Sequence, residues 1–183
     1  MGNHFQTVVD RDATEHEVPE LADRVLQWLF DEGIISRKMS QHCVIASEPG
    51  YLPGPKHDKI VTESDPNLMA PGGVNGLEIV TEKTVFHAGQ ADIKLVCSSC
   101  SGRFDAPDRW GDAVGDWFDG DPGLLPCPAC GEVQPITEWK HDPNWAFAYL
   151  GFTFWNWPPL TDEFVAKAGY RLGHRVVLVA GKL

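Results

Sequence analysis

Two short cysteine pairs constrain this chain more than any other feature. Cys97-Ser98-Ser99-Cys100 and Cys127-Pro128-Ala129-Cys130 account for four of its five cysteines. Two residues between thiols let one tight turn aim both sulfurs, and its own backbone N–H groups, at a single point. Two such turns supply four soft ligands in a tetrahedral arrangement, which suits zinc or iron. A closed set of four cysteines leaves no coordination position open to a substrate. The pattern therefore favours a structural metal over a catalytic one, and zinc is the expected ion ahead of iron. In a reducing compartment, paired cysteines of this spacing point to metal ligation and not to disulfides. Gly102 and Gly131 follow the pairs, where the backbone has to turn away from the metal.

The second pair, read with its flanks as Cys127-Pro128-Ala129-Cys130-Gly131, resembles the C-terminal knuckle of rubredoxins and zinc ribbons. The first is looser, with Ser101 where rubredoxins usually have Gly. The resemblance spans Val96 to Gly131 and implies a metal-binding fold element without carrying over an activity. Rubredoxins hold iron and transfer single electrons; their zinc-ribbon relatives are mostly scaffolds or binding surfaces.

Around this element the hydrophobic periodicity alternates between strand and helix. Phe5 to Asp10 reads as a strand. Val18, Leu21, Ala22, Val25, Leu26 and Leu29 then form the apolar stripe of an amphipathic helix. Thr14-x-x-Glu17 resembles a capping box, but Pro19 prefers the first turn and sets the start of the regular helix; Gly33 terminates it. His42 to Ser47 reads as a second strand, and residues 49–75, dense in Pro and Gly, as a loop. Leu77 to Phe86 and Ala91 to Val96 read as strands leading to the first cysteines, and Trp145 to Trp157 as an aromatic strand stopped by Pro158-Pro159. Thr161 caps a further helix with Asp162 and Glu163 in its first turn and Gly173 at its end, before a Val-rich strand from Arg175 to Ala180. In order this is βαβ, an insertion, then βαβ. The expected class is α+β, a ferredoxin-like split βαβ arrangement with a zinc-ribbon insertion. Residues 1–95 and 145–183 together make one α+β domain, and 96–144 the insertion.

Between the cysteine pairs, Trp110, Ala113, Val114, Trp117 and Phe118 share one helical face, while Asp108, Asp112 and Asp116 form an i, i+4, i+8 stripe. Like charges at that spacing weaken a helix by a few tenths of a kcal/mol per pair, roughly, and Gly111 and Gly115 weaken it further. Helix stability does not account for the stripe, which reads either as a solvated face or as a docking face for a basic partner. Six of the seven tryptophans lie between Trp110 and Trp157. Trp155 and Trp157, at i and i+2 on a strand, are the expected exposed aromatic pair for partner binding.

Other features narrow the function by exclusion. The net charge of −11 repels phosphate backbones, so nucleic acid is disfavoured and a basic protein partner favoured. No apolar run reaches the roughly 20 residues of a membrane span, and the N-terminus has neither a signal peptide nor the Ser or Thr of a myristoylation motif at position 6. The expected location is the cytoplasm. Motifs for a phosphate loop, a dinucleotide fold, a zinc protease or a serine hydrolase are absent. Cys43 adjoins His42, but strand neighbours point to opposite faces, so the two form no dyad and Cys43 reads as a buried free thiol. The reading is a zinc-ribbon-containing cytosolic binding protein, of adaptor or immunity type, that engages a basic macromolecule and leans away from catalysis. The alternative is a rubredoxin-like electron carrier, or an enzyme whose site is assembled from scattered residues.

Overall fold

Phe5-Gln6-Thr7-Val8-Val9-Asp10 is buried at every position, which a strand achieves only between two neighbours and beneath cover on both faces. In the computed structural model, which describes residues 2–70, 72–89 and 92–183, this is what surrounds it. The chain runs β1 (His4–Asp10), α1 (Val18–Asp31), β2 (Ile35–Ser40), β3 (Gly50–Pro53), β4 (Leu77–Val80), β5 (Thr84–Phe86), β6 (Lys94–Val96) and β7 (Arg103–Asp105). It continues through α2 (Trp110–Asp119), β8 (Leu124–Pro126), β9 (Val133–Pro135), β10 (Lys140–Asp142), β11 (Ala146–Ala148), β12 (Leu150–Trp155), α3 (Asp162–Leu172) and β13 (Val176–Lys182). The class is α+β, with three helices among the described residues and several antiparallel sheets.

The largest sheet has the order β13-β1-β12-β4-β3-β2 and is antiparallel throughout. β12 and β13 run parallel to each other with β1 between them, joined by α3. Both α1 and α3 cover one face, where Val8, Phe152 and Phe154 meet Val25, Leu29, Phe164 and Ala168 in one core. Trp28 of α1 stacks on Phe164 of α3 with ring centroids 5.5 Å apart. The helix ends follow their sequence signals. Thr161 Oγ1 accepts from the Phe164 N–H at 3.2 Å, and Gly33 takes φ 72° while the Ile34 N–H reaches back to Leu29 O at 2.9 Å. Thr14 does bond Glu17, but ahead of the helix, and Pro19 sets its first turn.

The opposite face is covered by a two-stranded ribbon, β5 with β11. Phe86, Ala146 and Ala148 pack onto Val9 and Val179, while Val85 and Phe147, pointing the other way, join a second core that also contains Cys97 and Cys127. The ribbon is thus a middle layer, with the large sheet on one side and the cysteine element on the other. Gly151 makes this possible, because a Cβ there would collide with the Phe86 ring.

Several expectations need correction. His42–Ser47 is turn and bend, and the strand after α1 is β2 at Ile35–Ser40. Cys43 and Val44 are consecutive and both buried, which the alternation of a one-sided strand does not permit. Residues 49–75 hold β3 and a 3-10 turn at His57–Ile60. Leu77–Phe86 and Trp145–Trp157 each divide in two, around Thr81–Lys83 and at Tyr149, because their halves belong to the large sheet and to the ribbon. The expected strand from Ala91 begins at Lys94; Ala91 itself, like Pro71 of the expected loop, lies outside the described residues. Trp155 and Trp157 are not surface residues, being only 7% and 0% exposed. Asn156 takes φ 56°, ends the strand, and sends the two indoles into different cores. Each finds an acceptor, Trp155 Nε1 donating to Glu78 at 2.7 Å and Trp157 Nε1 to Asn75 O at 2.8 Å. No helix among the described residues is long and apolar enough to cross a membrane.

Two polar ties join distant elements. Asp10, fully buried, accepts from the Asp12 and Ala13 N–H groups at 3.0 Å and lies 2.9 Å from His174 Nδ1. Arg175 bridges Asp12 and Glu138, and its guanidinium holds both carboxyls below their usual range. His141 on β10 is different. It is buried against Phe147, neither ring nitrogen has a partner among the described residues, and burial with the nearby Arg11 charge pulls its pKa down to about 4. Between about 6.5 and about 4 the unfolded imidazole binds a proton that the folded one refuses. Acid therefore favours the unfolded state across that window, by up to roughly 1.4 kcal/mol per pH unit. Urea unfolding of the native protein and of His141→Leu should diverge by that slope as pH falls through the window. Parallel stability curves would remove His141 as the cause.

Candidate metal centre

The two knuckles are built alike from three-residue strands. β6 and β7 pair Leu95 with Phe104 and Val96 with Arg103, and the first cysteine pair lies in the turn between them. β8 and β9 pair Pro126 with Val133 around the second. β10 extends the first hairpin by pairing with the free edge of β6. In each turn the residue after the second cysteine donates back to the first, Ser101 N–H to Cys97 O and Gly131 N–H to Cys127 O, both at 2.9 Å. Those same residues carry positive φ, 59° at Ser101 and 75° at Gly131. The left-handed position of the first knuckle is therefore Ser101 and not Gly102, whose lack of a Cβ instead makes room for the Phe104 ring.

The four sulfurs of Cys97, Cys100, Cys127 and Cys130 converge, all lying within 4.8 Å of one another. Cys97 to Cys130 is 3.9 Å and Cys100 to Cys127 is 3.7 Å. A tetrahedral tetrathiolate with metal–sulfur bonds of about 2.3 Å has sulfur–sulfur edges of about 3.8 Å. The donor set and its size thus fit a metal such as zinc or iron. The first cysteine of each pair is buried in the core with Leu95, Leu125, Ile136 and Trp139, and the second faces solvent.

The electrostatics of the cluster suit a cation. The Cys100 N–H, opposed by burial, pulls the Cys97 thiol down to about 6. At Cys130 the Glu132 N–H also favours the thiolate, but desolvation and the other three sulfurs outweigh it and push the thiol up to about 12. Cys100 is raised likewise, against the Gly102 N–H and through desolvation and the Cys127 sulfur. Sulfurs this close cannot all ionise unless a positive charge sits among them.

Gln134 is a member of the site that sequence inspection misses. Its side chain is buried, donates to Ser99 Oγ at 3.0 Å and more weakly to Cys97 Sγ at 3.5 Å, and accepts from Ser98 Oγ at 2.8 Å. It braces one knuckle against the other, as outer-sphere partners of metal ligands do. The signal available in sequence is a polar residue at the inward position of a hairpin, opposite Leu125.

α2 lies between the knuckles and starts at Trp110, so Asp108 of the expected stripe precedes the helix. Ala113 and Trp117 are buried, Trp110 and Val114 partly so, and Phe118 is exposed in spite of its place on the expected apolar face. Trp117 meets Phe147 of the ribbon edge-on at 5.4 Å. Lys83 donates to Phe118 O at 3.2 Å and sits over the Trp117 ring, placing a cation at the helix C-terminus. Asp108, Asp112 and Asp116 are exposed, the last two on the helix and the first just before it. None of the three enters an ion pair among the described residues. Cys43 stands apart from the centre. It is buried, its Sγ donates to Ser40 O at 3.2 Å, and burial raises its thiol, all of which make it unreactive.

Compared with known proteins, the chain matches no family model and finds no significant match among curated proteins or solved structures. The four-sulfur cluster in its short hairpins is what remains, and it is the arrangement of a zinc-ribbon-like knuckle.

Because only the first knuckle places a side chain in left-handed backbone, Ser101→Gly should relieve strain. The expected gain is about 0.5–1 kcal/mol, the left-handed penalty less the extra chain entropy of Gly. Chemical denaturation of metal-loaded protein measures it, and a loss of stability would show that the Ser101 hydroxyl outweighs its backbone.

Proposed function

We propose that this is a zinc-ribbon-bearing cytosolic binding protein, of adaptor or immunity type, that engages a basic macromolecular partner through Asp108, Asp112 and Asp116. The observation that carries the reading is the state of those three carboxylates, exposed and in no ion pair among the described residues, on a segment whose other face is packed into the four-cysteine element. A helix held between two anchored knuckles loses little further entropy on binding, which makes it a preorganised docking element. Within this reading the fold is a ferredoxin-like split βαβ extended at one edge by β2 and β3. The strand order β13-β1-β12-β4 and the β12-α3-β13 unit support that description. Residues 1–95 with 145–183 form the α+β domain and 96–144 the insertion, whose core also takes in Val85 and Phe147. Zinc is the metal assigned, in a structural role, since four cysteines close the coordination sphere.

A second reading, a rubredoxin-like electron carrier, draws on the backbone N–H groups that point at the sulfurs and on the exposure of Cys100 and Cys130. Colour separates the two, because iron–thiolate protein absorbs in the visible and zinc protein does not.

The docking reading is tested by association kinetics with the partner recovered from the native host. The native rate should fall with salt, and the Asp108→Asn, Asp112→Asn, Asp116→Asn triple variant should associate about tenfold more slowly at low ionic strength. Circular dichroism and metal content should stay unchanged. Equal rates at low salt would take the stripe out of the interface.

A further inference from the structure

The β8–β9 hairpin buries one face and leaves the other to solvent, and the solvent face is apolar. Its register sets Leu124 opposite Pro135 and Pro126 opposite Val133, with Leu125 and Gln134 pointing inward. Leu124 and Val133 are each 51% exposed, Pro126 is exposed, and the knuckle at the hairpin's tip adds the exposed Pro128 and Ala129. A hairpin with one buried face ordinarily alternates to polar residues on the other. Neither the second core nor the metal site requires apolar residues here, and clustered exposed apolar side chains mark contact surfaces.

Two further observations select the occupant. Pro126 and Pro135 supply no N–H, so each free edge of the hairpin keeps one outward donor, at Leu124 or Val133, and lacks the other, which disfavours an added strand. A partner must pack on the face. The segment itself is one-signed: from Trp110 to Trp139 it has six acidic residues and no Lys, Arg or His, and Lys83, Arg11 and Arg175 reach it at Phe118, Thr137 and Glu138, outside the hairpin. Of the acidic residues, Glu138 alone is in an ion pair among the described residues. Asp121 and Glu132, both exposed, stand three residues before Leu124 and one before Val133, at the two ends of the face. A divalent ion bound by four thiolates would leave the centre with further negative charge. A second copy would bring the same charges against these, so self-association is opposed and a basic rim is favoured.

We propose that the outer face of the β8–β9 hairpin, Leu124, Pro126, Val133 and Pro135, is the docking surface for a protein segment with an apolar centre flanked by Lys or Arg. The inference rests on the reading of the protein as a binder of a basic partner and adds an apolar contact distinct from the aspartate stripe. Both members of the substitution pair used to test it, Leu124→Ser and Val133→Ser, are exposed, so folding and metal content should be retained, and these are checked first. The probe is a displayed library of twelve-residue random peptides selected on metal-loaded full-length protein. Recovered peptides should carry an apolar centre with flanking Lys or Arg, should shift the amide resonances of residues 124–135, and should bind the Leu124→Ser, Val133→Ser variant at least tenfold more weakly. Basic peptides that bind this variant as they bind the native protein, yet lose affinity with the aspartate-to-asparagine triple, would overturn the hairpin face and leave the stripe standing. Peptides without basic residues that still need Leu124 and Val133 would overturn the partner's assigned chemistry and, with it, the basic-partner reading. Enrichment of no peptide, or a dimer in sedimentation that the serine pair dissolves, would overturn the proposal as well.

Discussion

The convergence of four cysteine sulfurs is the constraint on which the region from Lys94 to Asp142 depends. Each of its strands is three residues long, and hairpins of that length do not persist in water by themselves. The core beneath them is small, built on Leu95, Leu125, Ile136, Trp117 and Trp139. What holds the two hairpins in register is the meeting of Cys97 and Cys100 with Cys127 and Cys130, and that meeting is repulsive once the thiols ionise without a cation. A metal bound there would couple its own binding to the folding of this region. α2, suspended between the knuckles and weakened by Gly111 and Gly115, inherits its order from them.

The rest of the molecule is connected to this element through a layer only two strands wide. In the β5–β11 ribbon, Phe86, Ala146 and Ala148 face the large sheet, and Val85 and Phe147 face the metal element. Because successive side chains in a strand point to opposite faces, a slip of one residue in this ribbon would undo both cores together. The Arg175 bridge from Asp12 to Glu138 and the Lys83 contact with α2 reinforce the same junction from its edges.

What was legible in the sequence is whatever had a local cause. The cysteine spacing announced the centre. Pro19 and Gly33 bounded α1, Thr161 and Gly173 bounded α3, and β1 followed from its aromatic and β-branched residues Phe5, Thr7, Val8 and Val9. Non-local choices were hidden. Leu77–Phe86 and Trp145–Trp157 read as continuous strands, because propensity does not register that the chain changes sheets at Thr81–Lys83 and at Tyr149. The apolar segment at Cys43-Val44 resembles a strand, but packs as a loop under Gly50. Asn156 looks unremarkable between two tryptophans, yet its left-handed backbone buries both. Gln134 and Ser101 owe their roles to the facing knuckle and to turn geometry, and neither is visible from residue type alone.

The four-cysteine element holds out an acidic helix on one side and an apolar hairpin face on another, while the large sheet lies beneath it. In the proposed reading each surface depends on a metal held at that centre by the four sulfurs. X-ray absorption at the metal edge of protein purified without chelators tests this most directly. The account predicts one zinc per chain with four sulfur neighbours at about 2.3 Å. Nitrogen or oxygen neighbours in place of sulfur, or protein that is folded and metal-free, would contradict it.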